Sequence, residues 1–106
     1  MDYAKLTNDL KEARMAALIE LARSSEDGGT GNLDTPVLIL KNARFDRVKA
    51  AAESAGVSVS KWDSGVYHIY GSFLIGMANL RNRMAETFAK SLRDNGWEAY
   101  VYYVID

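Results

Sequence analysis

The 106 residues contain no cysteine. That excludes disulfides, thiol nucleophiles and cysteine metal sites, and it fits a reducing compartment. Histidine occurs once, at His68. With no cysteine and no second histidine, the usual ingredients of a catalytic triad or a zinc hydrolase are lacking, and the chain is read as a non-enzyme with no cofactor and no metal. A basic excess is missing too. Thirteen lysines and arginines face fourteen acids, for a net charge of −1, whereas a dedicated duplex-DNA binder carries a strong positive field. The apolar runs are only a few residues long, far short of the roughly 20 needed to cross a bilayer. The opening MDYAKLTNDLKEAR is charged throughout and lacks the apolar core of a signal peptide. A cytoplasmic protein without membrane contact is expected.

What is present suffices for one packed domain spanning residues 1–106. Hydrophobic residues make up 48% of the chain, and a domain of this length buries roughly two-thirds of its unfolded surface. Leu6, Leu10, Ala13, Ala17 and Leu21 recur at helical spacing, so residues 3–23 are expected as a helix. Met15, Ile19 and Ala22 add a second apolar side. Such a helix wants two partners, its own sheet and a second subunit, and a homodimer through this helix is one expectation; deep wedging within its own domain is the other.

SSEDGGTGNLDT (24–35) is a glycine-rich loop, and the core is expected over 36–106. VLIL (37–40) is a continuous apolar run suited to a strand buried on both faces. Residues 44–55 carry Phe45, Val48, Ala52 and Ala55 on one helical face, with Gly56 as the stop. VSVSKW (57–62) and VYHIY (66–70) flank the turn DSG as a hairpin. A helix over 79–95 ends at Asn95-Gly96, and WEAYVYYVI (97–105) closes the chain as a strand apolar or aromatic on both parities. The N-terminal helix is the expected cover for its second face. The order from residue 37 is βαββαβ, the split βαβ or ferredoxin-like arrangement of an α+β protein. Its usual antiparallel strand order is 4-1-3-2, with an extra helix in front.

That topology brings the loop entering the first strand, the loop leaving the third and the chain's C-terminal end to one edge of the sheet. Gly28, Gly29, Asn32 and Asp34 come from the first segment, and Asn79, Arg81 and Arg83 from GMANLRNRMAE (76–86). Asn79 suits an N-cap. Arg81 and Arg83 then stand in a first turn, where the helix dipole disfavours cations by roughly 0.3–1 kcal/mol each when exposed. Three explanations compete. Arg81 pairs internally, with Asp34 or with Asp106 and the terminal carboxylate; the arginines and glycine loop form an anion site for a phosphate or a partner carboxylate; or the arginines are simply solvated.

GGTGNLD runs from a helix into a strand and lacks GxGxxG and a following Lys-Ser/Thr pair, so turn chemistry explains it better than a nucleotide motif. His68 shares a strand face with Val66 and Tyr70 and is expected as a packed or hydrogen-bonded ring. RNA-recognition motifs share the topology and stack bases on aromatic residues of the two central strands. GVYHIYGSF (65–73) resembles such a strand in outline, but VLILKN (37–42) offers no aromatic companion. With the N-terminal helix expected over the open face, the tyrosines at 100, 102 and 103 are read as packing at the core edge.

DGGTGNLD (27–34), GMANLRNRMAE (76–86) and GWEAYVYYVID (96–106) resemble a group of small phage- and prophage-encoded proteins. In that group an Asp-Gly-Gly-Thr-x-Asn-x-Asp segment precedes a strand, a Gly-x-x-Asn-x-Arg-x-Arg segment opens the last helix, and an aromatic strand ends in Asp. About thirty residues carry the likeness. The group differs in bearing a cysteine where Gly31 stands and Gln-Gly where Met77-Ala78 stand. The resemblance implies a phage origin. A small phage protein without catalytic groups commonly works by binding and blocking, and host antiviral complexes are frequent targets. The expectation is an anti-CRISPR-type inhibitor that binds a host defence protein or ribonucleoprotein complex. The alternatives are a sponge for a signalling nucleotide at the Arg/Gly-loop anion site and a single-stranded nucleic-acid-binding module.

Overall fold

A computed structural model describes residues 1–23, 34–74 and 78–103, with the side chains of Ala78 and Asn79 not described. Helix α1 (Tyr3–Arg23) is followed by β1 (Thr35–Ile39), α2 (Phe45–Ser54), β2 (Ser58–Asp63), β3 (Val66–Tyr70), α3 (Ala78–Asp94) and β4 (Glu98–Tyr102). The four strands form one sheet in the order β2-β3-β1-β4, every neighbouring pair antiparallel. This is the α+β architecture and the strand order expected from the sequence, with the N-terminal helix in front.

Local chemistry sets the helix ends. The Asp2 carboxylate accepts the Lys5 backbone N–H at 2.9 Å, capping α1. Both α2 and α3 stop at a glycine with positive φ, Gly56 at +83° and Gly96 at +92°. The N–H groups of Gly56 and Val57 return to the carbonyls of Glu53 and Ala52, and those of Gly96 and Trp97 to Arg93 and Leu92. Each is a Schellman closure, and only glycine takes that left-handed position without strain.

One face of the sheet carries the core. Leu38, Tyr67 and Ala99 align across β1, β3 and β4, with Ile69 and Val101 beside them, all buried. Helix α3 lies against β1 and β4, and α2 against β2. Phe73 and Phe88, both fully buried, stack at 4.4 Å between centroids. Phe45 stays part-exposed but lies nearly parallel to Tyr67 at 6.2 Å.

The N-terminal helix does not cover the sheet's other face. It packs against both α2 and α3 on the core side, and its apolar stripe belongs to the same buried cluster as Leu38, Tyr67 and Ile69 of the strands. Leu6, Leu10, Ala13 and Ala17 are fully buried in that helix layer. The Trp97 indole donates to Asp9 at 2.8 Å, Lys5 donates to the Asn95 carbonyl at 2.7 Å, and Asn95 donates to Glu12 at 2.8 Å. The Tyr3 hydroxyl accepts the Arg44 N–H at 3.0 Å. The physical reason is that an apolar stripe is satisfied equally well on either side of the sheet, and polar ties along the first half of α1 fix it beside α2 and α3. The second apolar side, with Met15 and Ile19, faces outward.

Candidate functional site

Two regions emerge from this frame. The first is the edge where separated segments meet. Asp34 is brought to the first turns of α3, as the topology requires. Arg81 Nε donates to the Asp34 backbone carbonyl at 2.9 Å, and Arg81 Nη2 lies 3.5 Å from the Thr35 hydroxyl. Asn82 Nδ2 donates to the Asp34 carboxylate at 2.8 Å. Arg83 pairs with Glu20 of α1 at 3.5 Å. Asp34 is only 1% exposed, so its carboxylate works inside the fold. Asn82, not singled out from the sequence, holds it. Helix α3 begins at Ala78, which puts Asn79 inside the first turn rather than at the cap. Gly28, Gly29, Asn32 and Asp106 lie outside the described residues.

Nearby, the Tyr103 hydroxyl donates to the Glu86 carboxylate. That bond, followed by partial burial, holds the phenol above its ordinary value. Arg93 Nη1 donates to the Ala99 carbonyl at 3.0 Å.

The second region is the sheet face that α1 leaves open. Side chains alternate along strands, so the register sorts this face into three rows. Asp63, Val66, Ile39 and Glu98 form one; Ser60, His68, Val37 and Tyr100 the next. Ser58 and Tyr70 on β2 and β3, and Thr35 and Tyr102 on β1 and β4, make the third. A bulge between Lys61 and Asp63 leaves Trp62 unpaired. An extra residue of this kind re-aims its side chain. Trp62 lies flat on His68, with centroids 4.0 Å apart and planes 7° from parallel. Tyr102 tilts against both rings, at 5.3 Å from Trp62 and 5.4 Å from His68. Tyr70 approaches His68 at 6.3 Å.

These rings do what a second layer would do. His68 is 3% exposed and Val37 fully buried, although no described helix covers them. Burial pushes the His68 imidazole below its ordinary value near 6.5, so the ring is neutral at pH 7. The covering rings stay open to solvent: Trp62 is 58% exposed, and Tyr70, Tyr100 and Tyr102 are exposed as well. The sequence held a signal for this. Trp62 and His68 face each other across a short hairpin, and Tyr100 and Tyr102 share one parity. It was hidden by the assumption that two-sided apolar strands need a helix on each side.

A cleft of about 430 Å³ is lined by Lys41, Asn42, Lys61, Ser64 and Tyr67 at the hairpin end of the sheet. No group of three His, Asp or Glu side chains among the described residues is placed to hold a metal. No described helix is long and apolar enough to cross a membrane. No family model matches the chain, and no curated protein or solved structure matches it either.

Proposed function

We propose that this chain is a ferredoxin-like binding protein without catalytic activity, and that it docks a protein partner on the open aromatic face of its sheet. The βαββαβ order and the β2-β3-β1-β4 sheet support the fold assignment. The observation that carries the functional reading is the ring cluster of Trp62, His68 and Tyr102, flanked by Tyr70 and Tyr100 and covered by none of the described helices. Tryptophan and tyrosine dominate the energetic centres of protein interfaces, because they present large, rigid, amphipathic area. With the phage resemblance as context, the partner is a bacterial antiviral defence complex, and binding blocks it in the manner of an anti-CRISPR protein acting in the cytoplasm of an infected host.

The same stacked rings favour a second reading, a platform for single-stranded nucleic acid. Such platforms pair stacking with cations that hold the phosphates. The register assigns no lysine or arginine to this face, so the protein reading is preferred. A nucleotide sponge has less support, since Arg81 donates to Asp34 and Thr35 and Arg83 pairs with Glu20.

The test is plaquing of a phage on a host armed with an active CRISPR nuclease complex and expressing this chain. Plaquing should rise with the wild type and return to background with Trp62→Ala/Tyr102→Ala, while circular dichroism shows that variant folded. An inert wild type, or a double variant as active as the wild type, refutes the reading. Titration with a single-stranded oligonucleotide at low salt separates the platform reading, which requires binding that weakens as salt rises.

A further inference from the structure

We infer that the open face recognises an arginine-bearing segment of its partner, with guanidinium groups lying on Trp62 and the neighbouring tyrosines and paired with Asp63 and Glu98. This rests on the protein-docking reading above and adds the chemistry of the occupant.

Three observations carry it. First, the only charged residues that the register puts on this face are acids, Asp63 on β2 and Glu98 on β4. They stand at the two ends of one row, with the apolar pair Val66 and Ile39 between them. Second, the exposed large side chains of this face are electron-rich rings. The outer side of Trp62 is exposed beside Asp63, and Tyr100 and Tyr102 follow Glu98 along β4 at alternate positions. Aromatic faces attract cations, arginine most often, and tryptophan is the best such face. Guanidinium also stacks flat on rings while its edge hydrogen-bonds a carboxylate, which ammonium cannot do. Third, the register puts no lysine or arginine on this face, and Arg81 reaches only Thr35, in the row farthest from Asp63 and Glu98. His68, the sole basic-capable group among the rings, is buried and neutral. One Asp63 oxygen accepts the Ser64 N–H at 2.7 Å, which fixes the carboxylate without neutralising it.

The spacing gives the segment a length. Three strand intervals separate Asp63 from Glu98, about 14 Å. Two arginines four residues apart in an extended segment span about 13 Å. An extended Arg-x-x-x-Arg segment crossing the strands therefore meets both carboxylates and passes over Val66 and Ile39, so an apolar residue at its centre is favoured.

The probe is the blocked pentapeptide Arg-Ala-Leu-Ala-Arg, titrated into the isotopically labelled protein and read through the Trp62 indole N–H and the backbone amides of β4. The lysine and glutamate counterparts serve as comparisons. The arginine peptide should shift these resonances saturably. Lysine should bind more weakly and glutamate not at all. Asp63→Asn/Glu98→Gln should weaken binding roughly tenfold, in the range of two lost charge contacts, with the melting temperature unchanged within a few degrees. The inference is overturned if the arginine peptide gives no shift at millimolar concentration, if the glutamate peptide binds equally, or if the double variant binds undiminished. Should the chain restore plaquing through Trp62 and Tyr102 while the arginine peptide fails, the arginine inference falls and the docking reading stands.

Discussion

The two faces of the sheet bury apolar side chains by different means. On one, Leu38, Tyr67, Ile69, Ala99 and Val101 are buried in one cluster with the apolar sides of α1, α2 and α3. On the other, Val37 and His68 are sealed by Trp62, Tyr100 and Tyr102, rings on neighbouring strands that remain open to water on their outer sides. Full burial of a residue does not imply a second layer above it. A tryptophan spans enough area to shade a neighbour and still offer a surface. The first arrangement makes a core. The second makes a core lid that doubles as a docking surface.

Truncation should separate the faces most sharply. Phe88→Ala removes a fully buried ring stacked on Phe73 and should cost about 3–5 kcal/mol in urea denaturation, enough to unfold much of a marginal domain. Trp62→Ala should cost only about 1 kcal/mol, since the lost ring is exposed outward, yet abolish partner binding. Equal losses from the two variants would break the distinction.

The sheet edge offers a smaller contrast between two arginines of one helical turn. Arg81→Ala leaves the Asp34 carbonyl without its charged donor and should cost about 1–3 kcal/mol. Arg83→Ala breaks a half-exposed pair with Glu20 and should cost under about 1 kcal/mol. Thermal melts of both variants decide it, and the reverse ranking would put the structural role on Arg83.

A third difference is titratable. Burial depresses the folded-state His68 value below 6.5, so the unfolded chain takes up a proton first as the pH falls. Stability contributed by the neutral ring is complete above about pH 6.5 and is lost as the pH drops below it toward the folded-state value. His68→Phe should flatten the stability profile below about pH 6.5, because a phenyl ring can stack on Trp62 without titrating. An unchanged slope would mean that His68 is solvated in the folded chain. The smallest effect is expected from Lys90→Ala, which breaks an exposed i,i+4 pair with Asp94 and should move stability by no more than about 0.5 kcal/mol.

Much of the architecture was legible in the sequence. Gly56 and Gly96 marked the ends of α2 and α3, and the Asp-Ser-Gly turn marked the β2–β3 hairpin. Those local signals have few alternatives, and the order of elements then restricts the sheet to a short list of topologies. The meeting of Asp34 with α3 followed from that order alone. The destination of α1 was not legible, because its stripe of Leu6, Leu10, Ala13 and Ala17 suits either side of the sheet equally. What decides it are ties between residues far apart in sequence, such as Asp9 with Trp97 and Lys5 with Asn95. The aromatic face was missed for the same reason. Once α1 was assumed to cover it, Tyr100 and Tyr102 read as edge packing, and the bulge that aims Trp62 at His68 had no separate signal in VSVSKW.

The claim on which the rest depends is that the sheet has one bare face, closed only by its own rings. Solvent paramagnetic relaxation with a soluble gadolinium chelate tests it directly. The account predicts strong attenuation at the Trp62 indole and the Tyr100 and Tyr102 rings, with Tyr67 and Phe88 protected. Protection of Trp62 and Tyr102 at the level of Phe88 would mean that something covers the face, and would contradict the account.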